Sequence, residues 1–206
     1  MARKRSTAKL RKGLLLFFAS CLVGAYLLGY CGPDPGVRTK LTVCSENLKR
    51  IGTLLASMAE RGDDIFQESG SRFLLQVAPE MSDEELVAFI CPGDPGYAHL
   101  VSGESREELT SLYRKDWRSA PCSYRGPDAA FVQTLRSGGS LEGAGIIACD
   151  MNGPKGNEPY HGDRVIALLG DGRVIMVSLN WMREAYDGSI AVGPDSPDPR
   201  FRHLVP

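Results

Sequence analysis

The first twelve residues contain no acid, and the nineteen that follow, Gly13 to Cys31, contain no charged residue at all. Histidine is scarce: His99, His161 and His203 are the only three in 206 residues. No close C-x-x-C pair occurs, which argues against a zinc ribbon or a thioredoxin-type redox motif. Neither H-E-x-x-H nor a nucleophile elbow is present, so the common metalloprotease and hydrolase signatures are missing. The acidic residues do not follow EF-hand spacing, and no segment repeats.

What the N-terminus does contain is six cations in twelve residues: Arg3, Lys4, Arg5, Lys9, Arg11 and Lys12. The uncharged stretch behind them would span about 28 Å as a helix, close to the hydrocarbon thickness of a bilayer. Cationic flanks stay cytoplasmic, so residues 1–12 are expected inside and the bulk of the chain outside. The reading is a single-pass bacterial inner-membrane protein anchored by residues 13–31. Two rival readings use the same segment: a cleaved signal peptide, or a lipid-modified Cys21 after Phe18-Ala19-Ser20.

Beyond the anchor the charge changes sign. Without the six N-terminal cations, 18 basic residues face 25 acidic ones, a net of about −7. That excess speaks against nucleic acid and against a domain held to an anionic lipid surface. Four cysteines lie in this part: Cys44, Cys91, Cys122 and Cys149. In an oxidising compartment an even count favours two disulfides, and three connectivities remain open.

Residues 32–43 read as a linker, opened by Gly32-Pro33-Asp34-Pro35-Gly36, which should break a helix. Cys44, Leu48, Ile51, Leu55 and Met58 then recur at spacings of three and four, one face of an amphipathic helix ending at Arg61-Gly62. Capping-box spacing at Ser82/Glu85 and Ser105/Glu108 predicts two further short helices, the second with Leu109, Leu112 and Tyr113 inward. A third is expected from Asp128 to Gly138-Gly139. Arg164–Leu169 and Arg173–Ser178 flank Gly170-Asp171-Gly172, a strong hairpin signal, and Gly145–Cys149 reads as another strand. The expected fold is α+β, an amphipathic helix on a small antiparallel sheet over residues 44–193, with an irregular tail at 194–206.

Three segments carry a resemblance. Cys44-Ser45-Glu46-Asn47-Leu48-Lys49-Arg50-Ile51-Gly52 resembles the C-x-x-N-L-K-x-I-G segment that follows the stalk of type IV pilin-like proteins, in particular those similar to the major pseudopilin of type II secretion. Phe89-Ile90-Cys91-Pro92-Gly93-Asp94 resembles their F-x-C-P-x-D element. Cys149-Asp150, His161-Gly162-Asp163-Arg164-Val165 and Leu169-Gly170-Asp171-Gly172-Arg173-Val174 resemble their closing hairpin. The resemblance implies a pilin-like fold and a non-catalytic structural or interaction role, with partners in a secretion or pilus-like assembly. It also implies a Cys44–Cys91 disulfide, with Cys122 and Cys149 as the second pair. One departure matters: Phe18 stands five residues after Gly13, where these proteins carry the glutamate that pairs with a neighbouring subunit's N-terminal amine. A tether therefore fits better than a fibre subunit.

Asp150, Asn152, Asn157, Asp163 and Asp171 form an oxygen-rich set around the hairpin. The resemblance implies calcium there, with Asp150, Asp163 and Asp171 as ligands, and thus an alternative role as a calcium-dependent extracytoplasmic binding module. The plainer reading is a polar loop with Asx turns. His161 beside Cys149-Asp150 invites a nucleophile–base–acid reading, weighed against an ordinary loop histidine. Trp117, Trp181 and Tyr186 are candidates for a stacking face or for simple packing. No enzyme activity and no cofactor is expected.

Overall fold

The computed structural model describes residues 35–64, 67–137, 139–150, 160–161, 164–185 and 192–206. The anchor at 13–31 lies outside them, and among the described residues no helix is long and apolar enough to cross a membrane. Thr39–Pro206 forms one compact unit.

Its first element is α1, Pro35–Glu60. The helix starts nine residues earlier than the periodicity suggests, so residues 35–43 are helical rather than a linker. Proline is tolerated in a first helical turn, where its missing N–H would have no partner anyway. Cys44, Leu48, Ile51 and Leu55 are fully buried along one face, as the spacing predicts, and Met58 is half-buried. The helix ends in a Schellman motif: Gly62 has φ 75°, its N–H donates to Ala59 O, and Asp63 N–H donates to Met58 O.

Short elements follow: α2 (Ser71–Leu75), a 3-10 turn at Leu86–Phe89, α3 (Tyr97–Leu100) and α4 (Gly103–Asp116). At Ser82 the capping interaction is present, with Ser82 N–H donating to Glu85 Oε2 at 2.9 Å, but it opens turns rather than an α-helix. In α4 the start moves back to Gly103, Leu109 and Tyr113 face inward, and Leu112 is exposed. Strand β1 (Gly126–Pro127) leads into α5 (Ala129–Arg136), whose N-cap Asp128 accepts from Phe131 N–H at 2.7 Å.

The main sheet is antiparallel, in the order β2 (Ile146–Cys149), β3 (Arg164–Leu169), β4 (Val174–Ser178). Gly172, at φ 80°, supplies the left-handed residue of the β3–β4 turn. Central β3 is buried on both sides, because its side chains alternate between two layers. Val165 and Ala167 join Met182 of α6 (Asn180–Ala185), Phe201 and Leu204 in one core. Leu168 points the other way, towards Gly52 of α1. A Cβ on Gly52 would lie 2.6 Å from Leu168 Cδ1, so glycine is what lets the helix lie this close.

The C-terminal tail is not irregular. Pro199–Phe201 forms a 3-10 turn, and β5 (Leu204–Val205) pairs antiparallel with β1. Phe201 and Leu204 are fully buried, and that apolar burial outweighs the conformational preference of the surrounding prolines.

Candidate functional site: a buried cysteine, histidine and aspartate cluster

Four segments remote in sequence meet at one end of the sheet. Cys44 comes from the buried face of α1, and Cys91 from the loop after the Leu86–Phe89 turn. Asp150 lies just past β2, and His161 just before β3. Their ligand-type atoms all lie within 4.8 Å of one another. His161 Nε2 is 3.1 Å from Asp150 Oδ2 and 3.3 Å from Cys91 Sγ. Cys44 Sγ donates to the same Asp150 oxygen at 3.5 Å, and the two sulfurs are 3.9 Å apart. Exposure is nil for Cys44, Cys91 and Asp150 and 5% for His161.

The backbone orients this set. Ile166 N–H donates to Asp150 Oδ1 at 2.8 Å, which turns the other carboxylate oxygen inward. Gly93 N–H donates to Cys91 Sγ at 3.3 Å. A Cβ on Gly93 would meet Tyr160 O at 2.8 Å and His161 Cε1 at 3.2 Å, so the Cys91 loop can reach the histidine only with glycine there. Asp94 clamps the same loop by accepting from Gly96 N–H at 2.8 Å and from the hydroxyls of Ser123 and Tyr160, each at 3.0 Å.

The charges are interdependent. Cys91 is pulled down to about 6 by its contact with Cys44, with burial opposing and His161 assisting. The same Cys91 contact pushes Cys44 up, reinforced by burial and by Asp150. Burial raises Asp150 to about 7. For His161, burial disfavours the cation, but Cys91 and Asp150 outweigh it and its pKa rises. The result is an imidazole held between a carboxylate and a thiol in a medium that screens them little.

The structure redistributes the residues singled out from the sequence. Asp150 neighbours Ile166, and Asp171 lies in the turn past the far end of β3, beyond a strand stretch of about 10 Å from Ile166 to Leu169 at 3.3 Å per residue. The two therefore cannot share one calcium ion. Asp171 is instead occupied locally, accepting from Arg173 N–H and Nε. Asn152, Asn157, Asp163 and Tyr186 lie outside the described residues.

None of the four cysteines of this part is joined in a disulfide. Cys44 and Cys91 do meet, but a bond needs about 2.05 Å between sulfurs. Cys149 belongs to the core with Val165 and Phe201, while Cys122 Sγ contacts Tyr124 O at 3.6 Å. His161 does reach Asp150, but its thiol neighbour is Cys91 rather than Cys149. Trp117 is half-buried with the Arg118 guanidinium 4.3 Å from its ring, and Trp181 is exposed on α6.

Each member of the cluster carried a sequence signal, assigned separately to a disulfide, a calcium ligand and a loop histidine. Their common location carried none, because successive members stand 47, 59 and 11 residues apart and follow no short spacing rule. The architecture is α+β, and comparison with protein-family models, with curated proteins and with solved structures finds no match.

Proposed function

We propose that this chain is a membrane-tethered, pilin-like head: a non-catalytic structural or interaction component held at the outer face of a bacterial inner membrane by residues 13–31. One observation carries the reading. The three segments that resemble pilin-like proteins converge on a single buried centre, through Cys44, Cys91 and the Asp150–His161 pair.

The remaining motif residues have packing and turn-forming tasks. Asn47 Nδ2 donates to Tyr124 OH at 3.5 Å, Leu48 and Ile51 are fully buried, and Gly52 seats α1 on Leu168. Asp94 pins the loop, and Gly172 turns the hairpin. Motif residues with packing and turn-forming tasks fit a scaffold. A nucleophile would need access for its substrate, and Cys91 and His161 have almost none.

The test is protease shaving of intact spheroplasts combined with mass spectrometry of the mature N-terminus. The reading expects a membrane-bound chain whose head is digested from outside, beginning at Met1 or, if pilin-type processing persists, at Leu14. A chain recovered in the soluble cytoplasmic fraction, protected until lysis, would sink it. A start at lipid-modified Cys21 would replace the transmembrane anchor with a lipid one.

A further inference from the structure

We propose that Cys44, Cys91, Asp150 and His161 form a closed structural zinc site. The inference rests on these four side chains alone and does not need the tethered reading.

Geometry is the first support. With Zn–S of about 2.3 Å and Zn–N and Zn–O of about 2.1 Å, a regular tetrahedron has edges of about 3.8 Å for S–S, 3.6 Å for S–N and S–O, and 3.4 Å for N–O. The four contacts here are 3.9 Å between sulfurs, 3.3 Å from Cys91 Sγ to His161 Nε2, 3.5 Å from Cys44 Sγ to Asp150 Oδ2, and 3.1 Å from His161 Nε2 to Asp150 Oδ2. Each agrees with its edge to within about 0.3 Å. The remaining two pairs, Cys44 Sγ to His161 Nε2 and Cys91 Sγ to Asp150 Oδ2, lie within 4.8 Å, so small adjustments of four side chains bring the set round one ion.

The donor set selects the metal. Two thiolates and an imidazole disfavour calcium and magnesium, which take oxygen ligands, and a tetrahedral set of this softness suits zinc. Four protein ligands leave no position for water, the mark of a structural rather than a catalytic site.

Groups that orient the ligands are in place as well. Ile166 N–H holds Asp150 Oδ1, which leaves Oδ2 as a single oxygen donor. Gly93 N–H on Cys91 Sγ stabilises a thiolate there. Binding releases to solvent the protons that the four side chains hold, leaving two thiolates, one carboxylate and a neutral histidine, so the loaded site carries one net negative charge, which these N–H donors offset. Because the ligands come from α1, the Cys91 loop, the end of β2 and the start of β3, one ion would tie together the helix, the middle of the chain and the sheet.

The experiment uses the full chain, purified in detergent without chelator. Elemental analysis should find about one zinc per chain, and X-ray absorption should show two sulfur and two nitrogen or oxygen neighbours. Cobalt exchanged into the site should give the visible bands of a tetrahedral thiolate complex. Cys44→Ser and His161→Ala should each lose most of the metal, whereas His161→Cys, which restores a ligand, should retain it and strengthen the sulfur-to-cobalt charge-transfer band. If the variants fail to fold, the absorption spectra of the unaltered chain decide the matter alone. Recovery of a Cys44–Cys91 disulfide with no bound zinc would overturn the proposal. So would zinc bound with a neighbour set lacking sulfur.

Discussion

Replacing Asp150 with alanine removes the acceptor on which three groups converge: Ile166 N–H at 2.8 Å, His161 Nε2 at 3.1 Å and Cys44 Sγ at 3.5 Å. None of them can turn to water, since the carboxylate is wholly buried. Breaking a buried pair by removing one partner costs about 3–5 kcal/mol, much of it from the charge left behind. His161 can escape part of that cost by giving up its proton. The Ile166 N–H cannot, and an orphaned buried donor costs about 1–3 kcal/mol by itself. The net expectation therefore falls between the two, a loss of about 2–4 kcal/mol, which for a unit of this size lowers Tm by roughly 4–16 °C. Thermal unfolding of the full chain followed by circular dichroism reads this directly. Asp171→Ala serves as the matched control, because Asp171 is exposed and bonded only within its own turn, and its Tm should coincide with that of the unaltered protein. If Asp150→Ala melts with the parent chain, or if Asp171→Ala is equally damaging, the assignment of the buried centre is wrong.

Gly52→Ala sets helix propensity against packing. Alanine gains about 1 kcal/mol in a helix interior, but its methyl lands on Leu168, and overpacking costs about 1–3 kcal/mol. We expect net destabilisation that Leu168→Ala partly relieves in a double-mutant cycle; simple additivity would show that the helix can lift without strain. Gly126→Ala should be worse, since its Cβ would lie 2.0 Å from Gly70 O, a backbone atom that cannot rotate away, and chemical denaturation should show a clear drop in midpoint. Asp198 is buried and accepts from Arg200 N–H at 2.9 Å and from the Arg200 guanidinium. Burial opposes its charge, but Arg200 prevails and holds the carboxyl below its ordinary value. Its stabilisation is therefore present above about pH 4 and is lost as pH falls through the lower folded value. Asp198→Asn should cost about 1.5–3 kcal/mol at pH 7, with the gap to the parent protein narrowing in acid melts.

The elements that could be read from the sequence are those whose cause is local. The α1 face, the Gly62 cap, the Asp128-capped α5 and the Gly172 hairpin all follow from periodicity or turn chemistry within a few residues. Elements decided by distant partners were not legible. Nothing near Leu204 announces that Gly126 and Pro127 will pair with it, and the prolines around it suggest the opposite. Leu112 looks inward by spacing, but α4 buries only the narrower face of Leu109 and Tyr113. The site divides in the same way. Cys44, Cys91, Asp150 and His161 could each be picked out, yet their meeting depends on α1 packing against β3, and no local pattern encodes that packing.

The pairing of β5 with β1 also bears on how the chain is made. Leu204 and Val205 leave the ribosome well after Gly126 and Pro127, yet they cover the edge those earlier residues present. Until they arrive, Phe201 and Leu204 are missing from the sheet's core, and β1 presents unpaired backbone groups. This unit therefore cannot close until the segment around Leu204 has emerged, and in an exported chain until that segment has been translocated. Removal of residues 199–206 would strike this closing step, leaving the early helix intact and β1 uncovered.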